Sequence, residues 1–212
     1  ELFLSKSDIL PFDMTAAKGG QLIINNGEED IIMDAAEFVN DSVHVKFPFF
    51  NSELIFKVEN NKRLSGVWVN YNKGNNYRIP FVSIKQKSER FIVGGEKGST
   101  INVDGKWKVI FEPNTADAYP ALALFNQKEN NVSGTFLTET GDYRFLEGNS
   151  TKDSLYLSCF DGSHAFLFKA KLKNDSLFGD FFSGNHWKSE WVGARNSSYQ
   201  LADPDKITQV LD

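Results

Sequence analysis

The residues of this chain that could do acid–base or metal chemistry are few and scattered. Its histidines are His44, His164 and His186, and no two of them stand at the short spacings at which one strand or turn presents both to one metal ion. A zinc or transition-metal site would therefore need the fold to bring them together with carboxylates. We predict no metal site and no bound cofactor.

One local arrangement could place an imidazole beside a carboxylate. Asp161 and His164 flank a Gly-Ser pair in the segment 160–164, and a turn there would bring their side chains together. A hydrogen-bonded turn histidine is the favoured interpretation. Ser163 has no Gly-x-Ser-x-Gly elbow around it, so the sequence does not support a serine nucleophile.

Three carboxylates crowd one predicted hairpin, at Glu139, Asp142 and Glu147. A pair of carboxylates is the machinery of glycoside hydrolysis, so this chemistry has to be considered. Arg144 and Lys152 lie nearby in sequence and favour ordinary surface pairing instead. We predict no catalytic residue, and a hydrolase is the least favoured hypothesis.

Cys159 is the one cysteine in the chain. A single cysteine excludes an intrachain disulfide, a Cys-x-x-Cys redox pair and a multi-thiolate zinc site. It alternates with Leu155 and Leu157, which predicts a small buried apolar side chain rather than a reactive thiol.

Composition narrows the classes of partner. The chain has 212 residues, a formal charge of −5 and a pI near 5.3. Nucleic-acid binding needs a basic surface to displace counterions, so we predict no nucleic-acid partner. No apolar run approaches the roughly 20 residues that span a bilayer. The first residue is Glu1 rather than Met, which is compatible with a processed N-terminus and export.

The elements that must carry these residues are β-strands. Trp107, Val109 and Phe111 alternate with Lys106 and Lys108, which is typical of a half-buried strand. Similar runs recur about every 10 residues, separated by Asn, Asp and Gly turn formers. We predict an all-β fold with about eight strands between residues 106 and 195 and a similar number between residues 9 and 93.

The pattern also repeats along the chain. Segments 41–45, 54–58 and 66–68 recur about 112 residues later as segments 153–157, 166–170 and 179–181. We predict two tandem antiparallel meander units related by internal duplication, each a lipocalin-like or avidin-like barrel or a sandwich. The first unit would span residues 1–95 and the second residues 96–200, with the boundary in the Gly-rich segment 94–100. Residues 201–212 would form a linker with a capped helix start at Asp203.

An eight-stranded barrel either fills its interior with side chains or holds one small ligand. Gly105-Lys106-Trp107 resembles the Gly-x-Trp of the first strand in lipocalin-like and avidin-like barrels, where the Trp closes one end. The aromatic residues expected to point inward, and to bind a ligand if the barrel is hollow, are Trp107, Phe136, Phe166, Phe168 and Phe181. A free-standing calycin-like barrel that binds a small apolar ligand is therefore one functional hypothesis.

Two longer segments carry a resemblance to a known family. Segments 132–148 and 155–168, supported by 10–12, 63–68 and 77–81, resemble the β-rich region that precedes the thioredoxin module in TlpA-like thiol-disulfide oxidoreductases of the bacterial cell envelope. The similarity runs from about Ile9 to Asp205. In that family, a stretch like Leu201–Asp205 leads into the thioredoxin fold with its Trp-Cys-x-x-Cys site.

The resemblance implies an exported protein of the periplasm or cell envelope with a lipid anchor upstream, and the lack of a long apolar run predicts no transmembrane span. Neither catalytic cysteine of the family has a counterpart here, and Cys159 matches neither. The resemblance thus implies a non-catalytic accessory domain, whose partner is its own C-terminal thioredoxin module or a client protein.

Overall fold

The computed structural model describes residues 1–17, 19–74, 76–85, 90–91 and 100–203, and within these ranges the fold is all-β. The predicted fold class is confirmed at this level. The predicted helix that would start at Asp203 falls in residues 204–212, which lie outside the described residues. Most of the predicted boundary segment 94–100 lies outside them as well.

The described residues of the first half of the chain form ten strands. They are β1 (Leu2–Phe3), β2 (Ile9–Leu10), β3 (Asp13–Ala16), β4 (Leu22–Asn26), β5 (Glu29–Ile32), β6 (Glu37–Val39), β7 (Ser42–Lys46), β8 (Ser52–Asn60), β9 (Arg63–Asn70) and β10 (Arg78–Ile84). A 3₁₀ turn, Tyr71–Lys73, follows β9.

Nine strands lie between residues 100 and 203, the described part of the second half. They are β11 (Gly105–Phe111), β12 (Tyr119–Lys128), β13 (Asn131–Thr138), β14 (Gly141–Asp142), β15 (Leu146–Ser150), β16 (Ser154–Phe160), β17 (Ala165–Lys173), β18 (Ser176–Ser183) and β19 (Trp187–Arg195).

The strands of the first half form an antiparallel sheet of seven strands in the order β2-β1-β10-β9-β8-β7-β6. A separate sheet of three strands has the order β3-β4-β5. Alternation decides the inner face of the larger sheet, where Val45 lies opposite Leu54 and Leu54 lies opposite Trp68, and all three side chains are buried.

The strands of the second half close into an antiparallel barrel of eight strands. The order is β12-β11-β19-β18-β17-β16-β15-β13, and β13 pairs back onto β12. The short β14 adds to β13. On β11 the predicted alternation is confirmed, because Trp107, Val109 and Phe111 are buried while Lys106 and Lys108 are exposed. Closure leaves every barrel strand paired on both sides.

The two strand orders correspond. In each half, the first two strands pair, the last four follow in reverse chain order, and the strand before those four comes next. The correspondence extends over seven strands of each half. In the second half, β13 then completes the ring.

The chain divides into two compact units that are not contiguous in sequence. Unit 1 contains Glu1–Gly95 together with Ser158–Leu167 and Phe182–Trp187, and unit 2 contains the remaining residues. The sequence predicted a division into residues 1–95 and 96–200, which does not assign these two short segments to the first unit.

Phe160 shows what the exchanged segments contribute to unit 1. Its ring lies 4.8 Å from Phe12, 5.5 Å from Phe47 and 5.1 Å from Trp68. Asn26 holds the same residue by donating to the Phe160 carbonyl and accepting from its N–H, at 2.8 and 3.1 Å. Phe160 is therefore a core residue of unit 1.

Candidate functional site

All five aromatic residues predicted to point into a barrel are buried, and they lie in different surroundings. Phe168 is at the centre of one cluster in unit 2. Its ring stacks on Phe136 at 4.6 Å and on Phe181 at 4.5 Å, with interplanar angles of 22° and 21°. Rings at these distances are in van der Waals contact, so this level of the barrel is filled by side chains.

Two residues outside the predicted set of five, Phe111 and Trp191, also belong to this cluster. Phe111 lies 5.5 Å from Phe136, and Trp191 lies 5.2 Å from Phe136. Gly179 makes room for the indole, because a Cβ at this position would stand 2.6 Å from the Trp191 nitrogen. The alternation along β11 already placed Phe111 on the inner face, and that signal could have identified it.

Trp107 lies toward one end of the barrel and has its own set of contacts. Its indole N–H donates to the Val103 carbonyl at 2.8 Å, and the Arg195 guanidinium lies 4.5 Å from its ring. Arg195 also donates to the backbone carbonyls of Asp104 and Asn102. The indole is thus covered by a cation that is itself held in place by the preceding loop.

Phe166 belongs to unit 1, whereas the other four predicted residues belong to unit 2. Its ring is 4.8 Å from the imidazole of His164. The sequence could not separate Phe166 from Phe168, because both occupy the same face of one alternating strand.

Two tyrosines meet toward the other end of the barrel strands. The hydroxyls of Tyr119 and Tyr143 are 2.6 Å apart, and both rings stack on Phe111. A depression of about 470 Å³ lies against them and is also lined by Thr138, Glu139 and neighbouring hairpin residues. Burial raises the pKa of both phenols, and the hydrogen bond to Tyr119 raises the pKa of Tyr143 further.

The predicted contact between Asp161 and His164 is confirmed. His164 Nδ1 lies 2.9 Å from Asp161 Oδ2, and the backbone N–H groups of Ser163 and His164 donate to Oδ1 at 2.8 and 2.6 Å. Burial alone would raise the pKa of Asp161, but these hydrogen bonds lower it overall. The carboxylate holds the turn together, as expected for a hydrogen-bonded turn histidine.

The three clustered carboxylates are spread along their hairpin. Glu139 and Asp142 are exposed, and both line the depression beside the tyrosines. Asp142 Oδ1 accepts from the Arg144 backbone N–H at 2.7 Å, as in an ordinary turn. Glu147 lies on β15 and is half-buried.

A second carboxylate–histidine pair lies on the large sheet, where the sequence spacing did not suggest one. His44 on β7 and Glu53 on β8 approach to 2.9 Å. The hydroxyl of Tyr71 donates to the other oxygen of Glu53, and this bond raises the pKa of Tyr71. Finding the pair required the register of two strands, in which Glu53 lies opposite Lys46.

The outer edge of the large sheet in unit 1 exposes two apolar side chains on one strand. Strand β6 pairs with β7 on one side, and residues 34–41 around it are all exposed. Phe38 on this strand has 81% of its surface in solvent, and Val39 has 44%. An edge strand presents unpaired backbone groups to an incoming strand.

This edge is also acidic, because residues 34–41 carry Asp34, Glu37 and Asp41 and no lysine or arginine. The wider segment that leads to it has the same sign of charge. Residues 19–45 contain no lysine or arginine. Their carboxylates are Glu28, Glu29, Asp30, Asp34, Glu37 and Asp41. The segment carries a formal charge of −6 and the whole chain −5, so the remaining residues together are close to neutral.

Metal-binding clusters of three or more His, Cys, Asp or Glu side chains are absent from the described ranges.

The described part of the chain contains no helix that is long and apolar enough to cross a membrane.

No family model matches the sequence, and no curated protein does so either. Among solved structures, the chain is similar to a protein of unknown function from the DUF3598 family of Nostoc punctiforme, with 11% identity, a TM-score of 0.31 and coverage of 86% of this chain and 85% of that one. It is also similar to a protein of Bacteroides fragilis described as a putative outer membrane protein, with 8% identity, a TM-score of 0.27 and coverage of 87% of each chain. Similarities this distant carry no argument about function.

Proposed function

We propose that this chain is a non-catalytic accessory domain of a TlpA-like, thioredoxin-family thiol-disulfide oxidoreductase, exported to the bacterial periplasm or cell envelope. It acts through protein–protein contacts at strand β6. Its partner is the thioredoxin module of the same protein or a client of that module.

The observation that carries this proposal is the exposed edge at β6. Phe38 and Val39 lie on a strand with a neighbour on one side, within eight consecutive exposed residues. An extended segment of a partner can add to such an edge, with backbone hydrogen bonds for affinity and side-chain contacts for specificity. Phe38 then gains the apolar cover that it lacks here.

Charge favours one kind of partner at this edge. Glu37 and the surrounding carboxylates would attract a segment that carries lysine or arginine and repel an acidic one. The exposed pair of Lys46 with Glu37, at 3.6 Å, illustrates the cross-strand contact that an added strand could make on the open side.

The position of Cys159 supports a non-catalytic role. Thiol-disulfide exchange needs an accessible thiolate. The side chain of Cys159 is fully buried on β16, so an incoming disulfide cannot reach it in the folded chain.

The first test asks whether the coding sequence continues into a thioredoxin module. A Trp-Cys-x-x-Cys motif within about a hundred codons after Asp212 supports the proposal, and a stop codon there contradicts the assignment to this family. A disulfide reduction assay with this chain alone should show no activity. Turnover by the chain itself would overturn the non-catalytic assignment.

The second test addresses β6 directly. Affinity of the chain for the separately produced thioredoxin module is measured by fluorescence anisotropy for wild type, Phe38→Lys and Val39→Pro. We expect at least tenfold weaker binding for both variants, because one loses the apolar contact and the other disrupts β6 where it pairs with Ser42. Phe49→Lys is the matched control, since Phe49 is 83% exposed and lies outside the strands. Equal weakening by the control would contradict a role for the edge.

The alternative function is that of a free-standing calycin-like barrel that binds a small apolar ligand. The depression beside Tyr119 and Tyr143 favours this alternative, because phenol hydroxyls and aromatic faces suit a small organic molecule. The rings of Phe136, Phe168 and Phe181 fill the centre of the barrel, so such a ligand would bind at the mouth. Lipocalin-like ancestry and an internal duplication are part of this proposal, supported by the Gly105–Trp107 motif and by the corresponding strand orders.

A further inference from the structure

The three histidines of the chain have different partners. The imidazoles of His44 and His164 each lie 2.9 Å from a carboxylate oxygen. His186 instead lies 3.3 Å from the ammonium of Lys73, both within unit 1. A histidine beside a lysine has the opposite electrostatic environment from one beside a carboxylate.

The hydrogen bonds fix the proton positions in this cluster. A lysine ammonium only donates, so His186 Nε2 must accept and the ring must be neutral. His186 Nδ1 then carries the hydrogen and donates to the Tyr77 hydroxyl oxygen at 3.2 Å. The hydroxyl hydrogen of Tyr77 has no acceptor among the described residues.

The local backbone is built to bring these groups together. Lys73 ends the 3₁₀ turn after β9, and its ammonium lies 5.3 Å from the centre of the Tyr77 ring. His186 is presented by the turn between β18 and β19, where Gly184 has φ +62°. A Cβ on Gly184 would stand 2.0 Å from the Tyr77 oxygen, so a larger residue there would push the two loops apart.

The electrostatics of the cluster suit an anion. Within the described residues, no carboxylate pairs with Lys73 or His186. Burial and the neighbouring ammonium lower the pKa of His186, and burial lowers the pKa of Lys73. An anion between them would reverse this repulsion and stabilise the protonated form of both side chains.

We propose that Lys73, Tyr77 and His186 form a binding site for a phosphate group. When the anion binds, His186 takes up a proton from solvent and donates from Nε2 to a phosphate oxygen, and Lys73 donates to a second oxygen. Tyr77 positions the imidazole by accepting the hydrogen bond from Nδ1. A doubly charged phosphate then faces two cationic side chains. A singly charged carboxylate would leave one of them uncompensated. This site is independent of the interaction proposed at β6.

Nuclear magnetic resonance of the imidazole Cε1–H groups tests the site, because all three histidines are observed in one sample. The pH titration is run with inorganic phosphate and repeated with chloride at equal ionic strength. We expect phosphate to raise the apparent pKa of His186 by roughly half a unit or more, while His44 and His164 shift by no more than about 0.1. Equal shifts at all three histidines would mean a non-specific salt effect and would overturn the proposal.

Variants of the exposed side chains separate binding from structure. Lys73→Met should raise the pKa of His186 in chloride, because a like charge is removed, and should weaken phosphate binding at least fivefold. Tyr77→Phe should weaken it about twofold to fivefold, through loss of the hydrogen bond that positions the imidazole. Lys62→Met is the control for a lysine remote from the cluster and should bind as wild type. Unchanged phosphate affinity in Lys73→Met would refute the site.

Two further measurements distinguish phosphate from other anions and a lipid headgroup from a soluble phosphate. Acetate at matched ionic strength should produce less than half of the His186 shift. Vesicles of phosphatidic acid in phosphatidylcholine, compared with phosphatidylcholine alone, report whether a lipid headgroup is bound. Co-sedimentation that disappears in Lys73→Met identifies the lipid source, and phosphate binding without co-sedimentation identifies a soluble one.

Discussion

The guanidinium of Arg195 lies over the indole of Trp107, 4.5 Å from the ring centre, and joins the last barrel strand to the first. The two residues are also register partners on β19 and β11. Arg195 donates in addition to two carbonyls of the loop before β11. This one side chain therefore fastens the loop, the indole and the strand pair at one end of the barrel.

Arg195→Met should destabilise the chain by about 1–3 kcal/mol, because it loses the cation–π contact and leaves two carbonyls without their donor. Urea unfolding followed by tryptophan fluorescence measures this change. Arg195→Lys should recover only part of the loss, since lysine lacks the planar fork. Lys106→Met, an exposed substitution on the neighbouring strand, is the control, and an equal effect there would contradict the role of Arg195.

Phe168→Ala should cost about 3–5 kcal/mol, since the ring is fully buried between Phe136 and Phe181 and its removal leaves a cavity. A small apolar probe such as benzene should bind the variant and not the wild type. Calorimetric titration at equal protein concentration makes the comparison. Tight binding of benzene by the wild type would show that the barrel is hollow.

Alkaline pH should unfold the chain through its buried phenols. The folded-state pKa of Tyr143 is raised, so its contribution to stability is fully present below the unfolded pKa of about 10 and is lost as the pH rises above that value. The denaturation midpoint should therefore fall from about pH 10 upward. Tyr143→Phe should flatten this fall, whereas Tyr199→Phe should leave it steep.

Asp161 should make unit 1 sensitive to acid. Its folded-state pKa is lowered, so the stability it adds is present above the unfolded pKa of about 3.9 and is lost as the pH falls through the lower folded value. Asp161→Asn should cost about 1–3 kcal/mol at neutral pH, because the amide cannot accept all three hydrogen bonds equally well. Thermal unfolding at pH 3 and pH 7 tests both statements. A variant as stable as wild type at pH 7 would contradict them.

Cys159 should be inert in the folded chain. Ellman's reagent reacts with an accessible thiolate, and this side chain is fully buried. We expect no reaction over an hour in buffer and one equivalent in 6 M guanidinium chloride. Rapid labelling of the native protein would instead show that the thiol is accessible.

Sequence patterns predicted what depends on local order. Alternation placed Trp107 and Phe111 on one face of β11, and the Gly-Ser turn predicted the contact of Asp161 with His164. The tight contacts of Phe168 could not be predicted, because alternation sets a face and leaves open whether the rings opposite it touch.

Contacts between distant segments were beyond such patterns. His44 and Glu53 meet through strand register, and Lys73 meets His186 across 113 positions. The open edge at β6 depends on where the sheet ends, which residue alternation does not specify. The edge at β6 and the contact of Lys73 with His186 carry the two proposals, and both required the fold.

The place of Phe160 in unit 1 has a consequence for how the protein is made. The Asn26 side chain forms its hydrogen bonds with the backbone of Phe160, which lies 134 positions later in the chain. During translation, the first hundred residues leave the ribosome without the ring that packs against Phe12, Phe47 and Trp68. The nascent chain therefore exposes an unfinished apolar surface until most of the polypeptide has been synthesised, and it depends over that interval on slow long-range closure or on a chaperone.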